Sequence, residues 1–160
     1  MNAGQIEDSP RGDKFASQYF VGVFGADKIP DKKFPGGFVV NTDESGHWEH
    51  WVAFFTVDNR IECFDIFFKN PGVYFVHIKK WLDDMYQVVQ CETQSEDSTV
   101  CGHYCTFFLL LRSYGFSYED VMSAFSSNTA INDKFVCKLV NKFFKLKKSV
   151  EDYGIIGIIK

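Results

Sequence analysis

His50-Trp-Val-Ala-Phe-Phe-Thr-Val57 and Arg60-Ile-Glu-Cys-Phe-Asp-Ile-Phe-Phe68 flank the dipeptide Asp58-Asn59. Both runs are rich in aromatic and β-branched residues, and a two-residue polar loop between such runs predicts an antiparallel hairpin. With Asp58 and Asn59 as the loop, Val57 faces Arg60, Val52 faces Asp65 and His50 faces Phe67. Alternation with period two then puts His50, Val52 and Phe54 on one face with Cys63, Asp65 and Phe67. His50 and Asp65 become diagonal neighbours, roughly 7–8 Å apart at Cα and within side-chain reach. His47, three residues earlier, has the opposite parity and points to the other face. Taken alone, the pair reads most plainly as a strand histidine beside a surface aspartate. The sharper reading is an imidazole oriented by a carboxylate, with its other nitrogen left to act as a base.

Outward from the hairpin, "GFVVNT" (37–42) is a third β-prone run, and residues 14–37 mix aromatics with Gly, Pro and Lys in a way that predicts irregular structure with short ordered pieces. Residues 1–14 are polar and are expected to be loose. Downstream, Asn70-Pro71-Gly72 breaks the pattern, and 73–86 carries a helical stripe of Val73, Phe75, Val76, Ile78, Trp81, Leu82 and Met85. The stretch 87–93 returns to β character. Residues 98–115 read as a helix opened by Ser98 or Thr99 and closed at Gly115. Ser117 and Asp120 have capping-box spacing, and 132–148 is an amphipathic helix capped by Asn132 or Asp133. Strands first and helices later predict an α+β domain over residues 1–160, with a tail at 149–160 whose "YGIIGIIK" is β-prone.

Composition narrows the function classes. Eighteen Phe promise a large aromatic core, and a net charge of −4 argues against general electrostatic binding of nucleic acid. Lys134, Lys138, Lys142 and Lys145 nevertheless share one face of the last helix, either as a solvated face or as a local polyanion contact. No apolar run approaches the roughly 20 residues that span a bilayer, and the first residues lack the basic-then-apolar profile of a signal peptide. Five Cys without framework spacing predict free thiols in a reducing, intracellular setting, and the chain is expected to be a monomer.

Among those thiols Cys101 stands apart. It falls in the first turn of a predicted helix, where orphan N–H groups and the positive helix end favour a thiolate. Gly102 removes bulk beside the sulfur, so a substrate backbone can approach. Glu96 and Asp97 work against a low thiol pKa. Cys105, Cys63, Cys91 and Cys137 sit in apolar-periodic settings and read as packing residues. Zinc is the rival use of the His and Cys residues, but His47 and His50 lie on opposite strand faces and no C-x-x-C pair exists, so no metal site is expected. His77 and His103 fall on predicted helices without an acidic neighbour.

"HWVAFF", then "CFDIFF", then "QSEDSTVCGHYC" resemble the adenovirus protease (adenain) family, within the clan of ubiquitin-like-protein proteases. The upstream "YFVGVF" and "KKFPGGFVVNT" resemble the segment that family places before its catalytic His, and the likeness covers roughly residues 18–112. The resemblance implies a papain-like α+β variant, with a small mixed sheet carrying the His and Asp on strands, packed against helices, and the nucleophile at a helix N-terminus. It implies His50 as general base, Asp65 as its orienting acid, Cys101 as nucleophile, and Gln94 beside the Cys101 N–H as the oxyanion hole. Trp51, His47 and Gly102 would line the substrate cleft. The implied activity is that of a viral cysteine endopeptidase cleaving precursors at Gly-containing sites during virion maturation, in the virion and in the nucleus or cytoplasm of the host cell. A protease acting on ubiquitin-like modifiers and an inactive module that binds Gly-containing tails are the alternatives. No cofactor is required by the sequence. The family resemblance implies an activating peptide or nucleic acid, although no Cys stands between Val73 and Gln90, where that family carries the thiol that joins its peptide.

Overall fold

The computed structural model describes residues 1–31, 35–42, 50–58, 60–66, 76–82, 86–90, 94 and 98–146. Five strands form one mixed sheet in sequential order: β1 (Phe20–Gly25), β2 (Gly36–Asn41), β3 (Trp51–Val57), β4 (Arg60–Asp65) and β5 (Tyr86–Gln90). The two outer pairings are parallel and the two inner ones antiparallel. The β3–β4 hairpin has the register that its two-residue loop predicts, with Val57 opposite Arg60, Phe54 opposite Cys63 and Ala53 opposite Phe64. Asp58 takes φ 48°, the left-handed conformation that a primed hairpin turn requires at its first position.

All of β2 and nearly all of β3 is buried, so the sheet is covered on both faces. On one face Val39, Trp51, Ala53, Phe55 and Phe64 meet α4 (Cys101–Ser113). On the other, Phe38, Val40, Val52, Phe54, Ile61 and Cys63 meet Ile78 and Leu82 of α3 (Val76–Leu82). The stripe foreseen over 73–86 therefore packs as expected where it is described. α4 is the central element: every residue from Tyr104 to Leu111 is buried, as befits a helix that is apolar all round. It ends in a Schellman motif, with Gly115 at φ 85° and the N–H groups of Gly115 and Phe116 donating back to Arg112 (3.0 Å) and Leu111 (3.2 Å). The Ser117–Asp120 capping box opens α5 (Tyr118–Ser123) as its spacing foretells.

Three expectations need correction. Residues 1–14 are not loose: Ala3–Arg11 form α1, opened by a reciprocal Asn2–Gln5 capping box and anchored by the fully buried Ile6. Burying that one side chain contributes about 1.5–3 kcal/mol, which a reading for apolar periodicity overlooks because α1 offers almost nothing else apolar. A short helix, α2 (Ala16–Tyr19), and the six-residue β1 are short ordered pieces of the kind expected within 14–37. A register shift between Phe20 and Gly22 disguises the alternation of β1. α4 begins at Cys101, not near Ser98, with Val100 at the cap position and no side-chain cap. Finally, α6 (Thr129–Leu146) starts before the residues expected to cap it. Asn128 accepts the Ile131 N–H (3.2 Å), whereas Asn132 turns back to bind both the N–H (2.9 Å) and the carbonyl (2.8 Å) of Ser126. The tail at 149–160 lies outside the described residues.

Candidate active site

Three elements end at one place. His50 immediately precedes β3, Asp65 is the last residue of β4, and Cys101 is the first residue of α4. The His50 backbone is fixed because its carbonyl accepts from the Thr42 N–H (3.0 Å) and hydroxyl (3.3 Å), just beyond β2. The imidazole Nε2 lies 2.9 Å from Asp65 Oδ1, with both side chains almost wholly buried. A carboxylate accepts, so Nε2 carries the proton and Nδ1 is the nitrogen left for the thiol.

The Cys101 thiol lies near enough to the same imidazole, and to the backbone N–H groups of Trp51 and Gly102, for each to act on its ionisation. Burial alone would push this thiol up, but the His50 hydrogen bond, together with those N–H groups and the imidazolium charge, outweighs it and the pKa is lowered. Burial alone would pull His50 down, but hydrogen bonds to Asp65 and then Cys101 raise it from 6.5 to about 9. Both directions favour a thiolate–imidazolium pair, the reactive form of a nucleophilic cysteine. The missing side-chain cap contributes, because no Ser or Thr oxygen competes with the sulfur for the helix-end N–H groups.

Gln94 is buried, and its amide nitrogen donates to the Ser98 carbonyl (2.5 Å), tying it to the segment that leads into Cys101. That contact orients the amide, since its oxygen would repel the carbonyl, and leaves the second N–H for another acceptor. Gln94 Oε1 is buried without a hydrogen-bond partner among the described residues. Trp51 is buried in the core on the α4 side of the sheet, so it supports the site from beneath and reaches the sulfur with its backbone. At Gly102 the space a Cβ would take is occupied by Ile6 Cδ1 (2.9 Å) and Met1 Cβ (3.1 Å), so its Cα faces α1. His47 lies outside the described residues.

The other described thiols are of a different kind, and Cys91 lies outside the described residues. Burial pushes Cys63 and Cys105 well above the ordinary thiol range, and Cys137 is raised more modestly for the same reason. Among the described residues no three His, Cys, Asp or Glu side chains gather as a metal-binding group, and no helix is long and apolar enough to cross a membrane. His103, on α4, is lowered to about 4 by burial and is therefore neutral. Lys134, Lys138 and Lys142 are exposed along α6, and the Lys145 side chain is outside the described set. A cavity of about 730 Å³ opens not here but at the other end of α4, between Phe55, Glu62, Arg112 and Tyr118. Three contributors escape sequence reasoning: Thr42, the Trp51 N–H and the Ser98 carbonyl all act through the backbone or on it, and no residue pattern announces them.

No protein-family model matches the chain, and no curated protein matches it by sequence.

Proposed function

We propose that this protein is a cysteine endopeptidase of the adenain type, with a papain-like arrangement of sheet and nucleophile helix. The observation that carries the reading is the buried 2.9 Å contact between His50 and Asp65, with Cys101 at a helix N-terminus close enough to the same imidazole for each to shift the other's ionisation. In this mechanism the Cys101 thiolate attacks the scissile carbonyl. The oxyanion is stabilised by the Cys101 N–H and the uncommitted N–H of Gln94, and His50 protonates the leaving amine. Water, activated by the now neutral imidazole, then releases the acyl group from sulfur. Asp65 holds the ring in the tautomer that faces the thiol.

The sequence resemblance supplies the substrate class: peptide bonds with Gly nearby in viral precursor proteins, cleaved in the virion or infected cell. An activating peptide or polyanion, the latter along Lys134, Lys138, Lys142 and Lys145, belongs to the same proposal. The test offers peptides of the Leu-X-Gly-X-Gly type and, separately, ubiquitin-like proteins ending in a glycine aldehyde. Peptide cleavage that disappears in Cys101→Ala supports the endopeptidase. Labelling by the modifier aldehyde without peptide cleavage turns the assignment to a modifier-removing protease. Glycine-tail binding that survives Cys101→Ala, with no turnover by the native chain, reduces it to a binding module.

A further inference from the structure

The first nineteen residues run along the nucleophile helix and are fastened to it at both ends. At the start, Ile6 is fully buried and its Cδ1 stands 2.9 Å from where a Cβ on Gly102 would be. A helix can approach another that closely only over glycine. The Gly102 carbonyl is held in turn by the Thr106 hydroxyl (2.9 Å). At the far end, Asp13 is buried and accepts the N–H groups of Phe15 (2.9 Å) and Ala16 (2.8 Å) through one oxygen and the Tyr114 hydroxyl (3.0 Å) through the other. The Phe15 ring packs on Tyr114, with centroids 4.8 Å apart.

Cys101 thus belongs to a turn gripped from two sides. The sheet side contributes His50 and the Trp51 N–H, which meet the sulfur. On the other side Ile6, with Met1 Cβ beside it, fills the space above Gly102 and keeps the turn from backing away. We propose that α1 is a positioning brace for the nucleophile, and that Ile6 is the positioning residue through which it acts. Ile6 touches neither substrate nor sulfur in this scheme. It sets the distance from thiol to imidazole by closing the gap behind Gly102. The proposal deepens the cysteine-nucleophile reading of the site and rests on it.

Alkylation of Cys101 by iodoacetamide, followed against pH and mapped by mass spectrometry, reads thiolate formation without needing any peptide substrate. Ile6→Ala is expected to move the Cys101 alkylation profile upward by about one pH unit, because a retreating sulfur loses the partners that lower its pKa. On peptide substrate it should lower kcat about ten- to a hundredfold, as small displacements at reacting atoms do, with KM within about twofold. Tyr114→Phe loosens only the far end and should lower the melting temperature without moving the profile. An unchanged profile in a folded Ile6→Ala protein overturns the proposal, as does an equal shift in Tyr114→Phe. If Ile6→Ala does not fold, Gly102→Ala and the pair Gly102→Ala/Ile6→Val decide. The single variant should lose reactivity and the pair regain most of it, because removing Cδ1 makes room for the new methyl; no recovery overturns the brace. Reactive Cys101 without peptide cleavage would sink the protease assignment alone. A native Cys101 no more reactive than Cys137 would sink the nucleophile reading, and the brace with it.

Discussion

The two ends of α4 have opposite chemistry. At its N-terminus the helix is uncapped by any side chain, and its N–H groups, an imidazole and a strand N–H converge on one sulfur. At its C-terminus the guanidinium of Arg112 is committed. Arg112 is paired with both oxygens of Glu62 (2.7 and 2.9 Å), bonds the Phe116 carbonyl and lies over the Phe55 ring, while Gly115 closes the backbone. One end gathers polar groups around a thiol, and the other satisfies them against each other. A cavity of about 730 Å³ lies at the satisfied end. The proposed site is therefore picked out by the placement of polar groups and not by cavity size.

The contrast breaks most decisively at the sulfur. Cys101→Ala should lower peptide cleavage by about 10⁶-fold, to background, while leaving the melting temperature within a few degrees of the native value. An active variant would transfer the nucleophile role elsewhere. Asp65→Asn comes next, with a loss of about 10²- to 10⁴-fold in kcat/KM, because the ring loses the group that fixes its tautomer. Burial, no longer outweighed by Asp65, then pulls the His50 pKa down from about 9. The pH profile tests this with a definite sign. If the proposal holds, native activity should fall at low pH as the Cys101 thiolate takes up a proton, and at high pH as the imidazolium loses its proton near 9. In Asp65→Asn the alkaline limb should move to lower pH, and an unmoved limb would assign it to another group.

At the opposite end the expected effects are on stability. Arg112→Ala strands a partly buried carboxylate and should cost about 3 kcal/mol, seen as a fall of roughly 6–12 °C in the melting temperature. Cys101 alkylation in the protein that remains folded should be unchanged; a loss would show that the two ends are coupled through α4. Gly115→Ala should cost about 1 kcal/mol, because an L side chain resists the left-handed conformation at φ 85°. Chemical denaturation measures both.

What was legible in the sequence was whatever local rules control. The β3–β4 register follows from a two-residue loop, and with it the meeting of His50 and Asp65. Gly115 and the Ser117–Asp120 box end one helix and start the next through chemistry visible within four residues. What escaped depends on partners far along the chain. α1 shows one large apolar residue and is held by a surface almost a hundred positions away. β1 hides its alternation behind an irregular step and owes its order to β2. The start of α4 misled because Ser98 and Thr99 look like caps, whereas the Ser98 carbonyl serves Gln94 and the helix waits until Cys101.

The contact between Ile6 and Gly102 also has a meaning in time. A nine-residue helix such as α1 is too short to persist alone in water, where roughly 12–15 residues are the practical minimum. During synthesis the segment must therefore stay uncoiled until α4 has emerged and folded onto the sheet. Joining ends so distant is a costly loop closure and comes late. The thiol thus acquires its finished setting only after the chain through α4 has left the ribosome, so a nascent fragment carries Cys101 without the neighbours it has in the folded chain.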